Sequence, residues 1–410
     1  MEALRSFRRA FDGLARSQGG RPLAYMDNAA TTYKPRPVLE AIARYDAAPA
    51  NVHRSAHGPG ADATEAYEGA RARVARRIGA AHASEVLFTK GCTEGLNLLA
   101  QTLGRSRVGP GDEVLVTELE HHSNFVPWQQ LCMERGAHLR VVPLEPCENL
   151  GWHRLGELVG RRTRVVALTG ASNLWGVRPP LRAVTDAAHQ VGAAVVVDGA
   201  QLLAHGPVDV GALGCDFFAF SGHKVFGPTG VGVVWARGAP WDDWAPWQVG
   251  GGMVDDVSVH GSTFRSGPQR FEAGTPPIAQ AIGLAEALDF VGDHLGPELV
   301  DHERRLLART HQVLRDLKSV RVLGPPPRGE ERAPVVSFAL DGVHPHDVGT
   351  LLDAEGIAVR AGHHCCQPAL KRLGLNGAVR VSMAPYNTED EVERLGPALR
   401  QVERILGPPR

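Results

Sequence analysis

Ser221-Gly222-His223-Lys224 is the stretch best placed to do chemistry. It lies between Asp216-Phe217-Phe218-Ala219-Phe220, which reads as a buried strand, and a turn at Gly227-Pro228-Thr229-Gly230 that leads into a second strand, Val231-Gly232-Val233-Val234-Trp235. A lysine amine held at a strand end can form a Schiff base with an aldehyde. Ser221 and His223 can donate hydrogen bonds to a phosphate beside it. By itself the tetrapeptide reads as a solvated loop with an ordinary lysine. The motifs that accompany it change the balance.

Gly91-Cys92-Thr93-Glu94-Gly95 follows a strand and opens a helix, where free backbone N–H groups and the Thr93 hydroxyl favour an anion. A plain helix cap is the simpler alternative. Asp198 ends the apolar run Val195-Val196-Val197. A carboxylate at the carboxyl end of a buried parallel strand lies where ligands collect in open α/β sheets, and it can pair with a pyridinium nitrogen. Gln201 can point into the same pocket. In Glu120-His121-His122-Ser123-Asn124 a histidine can stack on a planar ring. Paired histidines are also familiar metal ligands, but no further ligands at metal spacing accompany them. Ser172-Asn173 adds an amide able to bond a ring hydroxyl.

Ala361-Gly362-His363-His364-Cys365-Cys366-Gln367-Pro368 is the second strong stretch. Four consecutive residues cannot wrap one tetrahedral ion, and no CxxC pair exists to complete a zinc site. A thiol on a Gly-led loop beside two histidines suits a nucleophile, with two ordinary buried cysteines as the alternative. Arg360 and Arg380 flank this loop, and either can grip a carboxylate through a bidentate fork.

Elements of one kind must position these groups. Strands at 85–88, 113–117, 138–142, 164–168 and 193–198 alternate with helices at 93 onward, 124–135 and 181–190, which predicts a mostly parallel sheet covered on both faces. After about residue 275 the pattern changes. Helices at 279–291 and 297–317 precede short strands at 335–340, 357–360 and 379–383, with helices near 347–355 and 389–405. This reads as a smaller α+β domain, with a helix over 1–20 packing on it. The predicted division is 21–290 and 291–410.

The chain has 410 residues, 43% hydrophobic and 22% charged, with net charge −1. It therefore carries no basic footprint for nucleic acid, no polybasic membrane anchor and no apolar run long enough to span a bilayer. The N-terminus lacks the apolar core of a secretory signal. Its six cysteines, Cys92, Cys132, Cys147, Cys215, Cys365 and Cys366, are too scattered for a disulfide framework. The expectation is a reduced, cytoplasmic protein.

In combination and in order, these motifs resemble the class V pyridoxal-phosphate enzymes, and among them the SufS-type cysteine desulfurases. Asp27-Asn28-Ala29-Ala30-Thr31-Thr32, Val52-His53-Arg54 and Arg270-Phe271-Glu272-Ala273-Gly274-Thr275-Pro276 complete the set, which runs from about residue 20 to the C-terminus. The resemblance implies a fold type I α/β architecture, a large domain with a mostly parallel seven-stranded sheet, and a homodimer. It implies that Lys224 carries pyridoxal 5'-phosphate and acts as acid and base. Asp198 would pair with the ring nitrogen, and His121 would stack on the ring. Gln201 and Asn173 would bond the ring oxygen. Cys92 (through its backbone), Thr93, Ser221 and His223 would hold the phosphate, with Thr275 reaching in from the other subunit. Arg380, Asn173 and Arg360 would handle substrate. Cys365 would take sulfur from L-cysteine as a persulfide, leaving L-alanine, and pass it to a separate acceptor protein, which suits iron–sulfur cluster assembly. A selenocysteine lyase or another C–S lyase is the alternative. Two departures stand out. Cys366 occupies a position where a small residue is usual, and it reads as a buried thiol. Cys92 stands where Thr is frequent.

Overall fold

The computed structural model describes residues 2–145, 151, 154–327 and 332–406. Seven strands form the large sheet: β1 (Val86–Thr89), β2 (Glu113–Thr117), β3 (His138–Val142), β4 (Thr163–Thr169), β5 (Ala194–Asp198), β6 (Phe217–Ser221) and β7 (Gly232–Ala236). Their spatial order is β1-β7-β6-β5-β4-β2-β3, and only β7 runs against the others. This is the mostly parallel, seven-stranded α/β sheet that the sequence predicts.

Strict alternation explains how both faces are covered. In β5, Val195 and Val197 enter one core, whereas Ala194 and Val196 enter the other. In β6, Phe218 and Phe220 separate from Phe217 and Ala219 in the same way. Helices Gly58–Arg77 and Ile278–His294 close the first core, and Cys92–Leu99 and Val126–Arg135 close the second. Each Val or Phe so buried stabilises the fold by about 1.5–3 kcal/mol. Parallel strands also gather their carboxyl ends on one edge. Thr89, Thr117, Thr169, Asp198 and Ser221 end β1, β2, β4, β5 and β6 there.

A second sheet, entirely antiparallel, contains β8 (Val320–Leu323), β9 (Val335–Leu340), β10 (Arg360–Gly362) and β11 (Ala378–Ser382) in the order β8-β9-β11-β10. Val336, Phe338, Val379 and Val381 pack against helices Pro297–Arg315, Pro345–Ala354 and Leu395–Leu406. The period of two then turns Ser337 and Arg380 toward the large sheet, where they bond the carbonyls of Leu174 and Asn173 at 2.6 and 3.0 Å.

Several elements differ from their sequence reading. The first helix stops at Arg9; a short helical turn follows at Asp12–Ala15, and residues 17–18 then fold back onto 21–22 through Gly19 and Gly20, both left-handed. Phe7 and Phe11 pack on Phe226 and Phe290, and Phe11 also meets Tyr386. The expected strand at 357–360 is two. Ile357–Ala358 pairs in parallel with Ala24–Tyr25, and Arg360–Gly362 joins the small sheet. The helix expected over 389–405 divides into Glu389–Glu393 and Leu395–Leu406. A hairpin of Val254–Ser258 and Gly261–Phe264, mostly exposed, has no apolar alternation to announce it. Cys147 lies outside the described residues. Cys92, Cys132, Cys215, Cys365 and Cys366 are all free thiols.

Candidate active site

The strand ends of the large sheet and the Arg380 face of the small one enclose a cavity of about 300 Å³. Lys224, Asp198, His121 and Cys365 line it, together with Cys92, Thr93, Asn173, Gln201, Ser221, His223, Arg360 and Arg380. Thr275 is the exception. It lines a separate hollow with Asn51, His53 and Gly252.

Lys224 ends a single tight turn, Gly222–Lys224, that caps β6. The Gly222 amide donates to Val231 O at 2.9 Å, and His223 O accepts from the Thr32 amide and the Thr31 hydroxyl at 2.9 and 3.1 Å. The Asp27-to-Thr32 motif therefore fixes the lysine turn from a distance of some 190 residues in the chain. Burial pulls the Lys224 amine below its ordinary pKa, while Asp198 opposes the shift. His223 is pulled down to about 4 by burial and then by Lys224.

Asp198 Oδ1 accepts the Ala200 amide at 2.9 Å and the Cys92 thiol at 3.3 Å. At Gly199 an added Cβ would fall 2.0 Å from the Phe218 ring, so the turn after β5 closes only with glycine. Gln201 spends its amide on Ala29 O at 2.8 Å. The Cys92 backbone N–H is taken by Ser221 Oγ at 2.8 Å, and burial, then Asp198, pushes the Cys92 thiol well above its ordinary pKa. His121 Nδ1 accepts the Ser123 amide at 3.1 Å, which assigns the ring proton to Nε2. Burial and then Lys224 hold His121 down to about 3, so the ring facing the cavity is neutral. Ser123 also meets the Thr93 hydroxyl at 2.7 Å.

On the other side, Arg360 and Arg380 are directly opposed in β10 and β11. Like charges at a cross-strand pair destabilise a sheet. Asp27 relieves this by binding both, Arg360 through contacts of 2.9–3.1 Å and Arg380 at 3.2 Å. In the thiol loop His364 and Cys365 both adopt left-handed backbone, φ 51° and 53°. Asn173 Nδ2 holds His364 O at 2.8 Å, and His364 Nε2 donates to Ala378 O at 2.9 Å. His364 is pulled down to about 3 by burial and then Arg380. The Cys365 side chain reaches the cavity, whereas Cys366 is fully buried. Burial, then Glu120, drives the Cys366 thiol far above its ordinary pKa, which makes it a poor nucleophile.

Sequence reasoning assigns no role to Asp27, Ser123 or Glu120; it reads His363 and His364 as able to favour the Cys365 thiolate, whereas His364 is buried, held at a low pKa and bonded to Ala378 O. Asp27 and Ser123 lie inside quoted motifs, but their partners are unreadable without the fold. Glu120 is fully buried and accepts Thr117 Oγ1 and Asn124 Nδ2, each at 2.7 Å. Burial lifts its carboxyl to about 8 against those two bonds.

The Aminotransferase class-V family matches residues 24–395. A probable cysteine desulfurase of Vibrio cholerae is 44% identical over 98% of this chain and 99% of its own length. A cysteine desulfurase of Synechococcus elongatus is 44% identical over 97% of this chain, which spans 63% of that protein. The crystal structure of the Escherichia coli cysteine desulfurase CsdA, in an S-sulfonic acid form, superposes with a TM-score of 0.89 at 38% identity, covering 98% of this chain and 99% of that one. The family implies pyridoxal phosphate, and the residues fit it. The cavity offers a primary amine with a lowered pKa, a buried carboxylate and hydroxyl donors beside the start of helix Cys92–Leu99. Two buried polar atoms, His364 Nδ1 and Arg380 Nε, also have no partner. The chain belongs to the class-V aminotransferase family and is an enzyme of its cysteine desulfurase branch.

Proposed function

We propose that this enzyme converts L-cysteine to L-alanine with pyridoxal 5'-phosphate, taking the sulfur onto Cys365 as a persulfide and passing it to a separate acceptor protein, a supply suited to iron–sulfur cluster assembly. One observation carries the reading: the Lys224 amine and the Cys365 thiol line the same cavity. When bound, the cofactor supplies an aldehyde for amines and a ring that withdraws electrons from the substrate α-carbon.

The chain's residues do the rest. Lys224 would carry the aldehyde, with Asp198 against the ring nitrogen, His121 on the ring face and Gln201 and Asn173 beside the ring oxygen. Thr93, Ser221 and His223 would hold the phosphate, while the Cys92 backbone N–H, expected there too, is given to Ser221 Oγ and would fix that hydroxyl. Arg380, with its open Nε, and Arg360 and Asn173 would orient the substrate carboxylate. Lys224, whose amine burial pulls below its ordinary pKa, would take the α-proton and act as proton carrier. Cys365 thiolate would attack the substrate sulfur. The C–S bond breaks, its electron pair stays on the β-carbon and is protonated to the methyl of alanine, and the sulfur remains on Cys365.

The same reading makes the enzyme a cytoplasmic homodimer that binds neither nucleic acid nor membrane, with Thr275 completing the partner's phosphate site. It divides the chain into a cofactor domain over 21–290 and a thiol-bearing domain over 291–410, with 1–20 packed alongside. Among the described residues, no helix is long and apolar enough to cross a membrane.

The test is turnover of L-cysteine by wild type and Cys365→Ala with dithiothreitol present, counting alanine, sulfide and pyruvate. Alanine in wild type and its loss in the variant, with cofactor absorbance retained, supports the reading. Pyruvate as product, or an undiminished variant, replaces it with a C–S lyase.

A further inference from the structure

His121 and His122 are neighbours in sequence with different destinations. His121 lines the cavity, and His122 turns to the thiol loop. The His122 amide donates to Cys365 O at 2.7 Å. Its Nε2 accepts the Gln367 amide at 3.3 Å. Its ring lies on His363, with centroids 5.8 Å apart and planes at 30°. His122 thus grips the chain at His363, Cys365 and Gln367, on both sides of the thiol.

The grip matters because of the backbone between those points. His364 and Cys365 are consecutive left-handed residues, a conformation that L side chains disfavour and that persists only when the surroundings hold it. On the His364 side the hold comes from Asn173 Nδ2 and Ala378 O. On the Cys365 side the amide of Cys365 reaches only His363 Nδ1, at 3.3 Å, within the loop itself. The Glu118–Arg372 ion pair beyond the loop is half-exposed on its arginine side and holds weakly. Beyond the thiol, Cys366 is buried in the first core and its Sγ meets Glu118 O at 4.0 Å, a weak contact; at the thiol itself the tie to the large sheet's edge is His122.

We infer that His122 is a positioning residue: through Nε2 and its ring it holds the turn from His363 to Gln367 in the left-handed form that presents the Cys365 thiol to the cavity. This rests on the reading of Cys365 as the sulfur acceptor. His122 does not line the cavity, and its ring meets it only through the tilted ring of its neighbour His121, centroids 6.4 Å apart, so its loss falls mainly on the step that needs the thiol and leaves the binding of cysteine largely unchanged. The backbone bond to Cys365 O survives any substitution. The side chain's share is therefore the Gln367 bond and the stack on His363.

Two substitutions separate these parts in the cofactor-loaded enzyme. His122→Phe keeps a ring on His363 and removes the acceptor. His122→Gln keeps an acceptor at similar reach and removes the ring. For the Phe variant kcat for alanine is expected to fall about tenfold with KM for cysteine changed less than about twofold. The rate of alkylation at Cys365 by iodoacetamide, mapped by peptide mass spectrometry, should change at least about threefold as the turn loosens. The Gln variant should recover most of kcat. Wild-type kcat and alkylation rate in both variants would overturn the inference. So would equal loss in both with alkylation unchanged, which is the behaviour of a merely structural residue. If instead Cys365→Ala keeps forming alanine, the sulfur-acceptor reading fails, and the alkylation series still decides whether His122 holds the loop.

Discussion

Asp198 and Arg380 are almost equally buried, 5% and 3% exposed, yet they are held in different ways. Asp198 ends the central strand of a sheet cored on both faces, and its carboxylate takes two donors, the Ala200 amide and the Cys92 thiol. Arg380 lies in a small sheet beside β10, a strand of three residues, and its one carboxylate partner, Asp27, is shared with Arg360. The large-sheet wall is held by packing, with redundancy. The small-sheet wall is held by a few polar ties: Asp27 to both arginines, Asn173 to Arg380 and His364, and His122 to the thiol loop. A wall of the second kind can adjust when substrate binds, and it fails when one tie is cut.

The largest effect belongs to the group on the packed wall for which nothing substitutes. Lys224→Ala should remove the protonated Schiff-base absorbance and lower alanine formation by at least about 10³-fold while leaving the fold intact, since no other described lysine lines the cavity. A colourless variant with wild-type turnover would end the assignment of Lys224.

On the tied wall, Asp27→Ala should unfold the enzyme more easily by about 3–5 kcal/mol, because it leaves Arg380 buried beside Arg360 with no counter-charge. KM for cysteine should move with it, since Arg380 loses its orientation. A denaturation midpoint within error of wild type would mean that the two arginines need no bridge, and the contrast between the walls would lose its main support.

These ties mark the limit of what the chain discloses before it is folded. The strands of the large sheet are legible because each is a short Val, Ala or Phe run between helices, and the residues after each strand end are legible because a parallel sheet must bring those ends together. The cavity lining from Cys92 to Arg380 follows from that rule and from the motif order. Asp27 is hidden because its partners lie more than 330 residues away and meet it only through a register, Arg360 against Arg380. His122 is hidden for a related reason. In a run of two histidines nothing local states that one ring faces a cavity and the other a loop. The division of the 357–360 strand between two sheets is equally tertiary, since only Val359 separates the two pairings and no turn residue marks the break.

A smaller effect tests the junction of the walls, where Glu120 lies buried beneath His121. Its carboxyl is lifted from 4.5 to about 8, so the folded protein keeps a proton that the unfolded chain gives up. Its contribution is complete below about pH 4.5 and is lost as pH rises toward 8, by up to about 1.4 kcal/mol per unit. His121 and His364, lowered from 6.5 to about 3, act oppositely and lose their contribution as pH falls below 6.5. Stability from these groups should therefore peak near pH 6.5. In urea midpoints taken at about pH 5.5, 6.5 and 8, Glu120→Gln should flatten the alkaline limb and steepen the rise from 5.5 to 6.5. An unchanged alkaline slope would mean that Glu120 is ionised in the folded enzyme.

The smallest effect is expected where a tie is cut on the packed wall. Cys92→Ala removes the thiol donor from Asp198 Oδ1, a sulfur contact at 3.3 Å, and leaves the Ala200 amide in place at 2.9 Å. The Cys92 backbone bond to Ser221 also stays, because it does not involve the side chain. Stability should fall by about 1 kcal/mol or less, and kcat for alanine by no more than about fivefold. Cys92→Ser, which restores a hydroxyl donor, should lie between the two. Asp27→Ala and Cys92→Ala each delete one partner of a buried charged residue, so the comparison is direct. If the two cost the same, redundancy does not distinguish the walls. If Asp27→Ala costs several-fold more, the cavity joins a redundantly packed large-sheet wall to a small-sheet wall held by few ties.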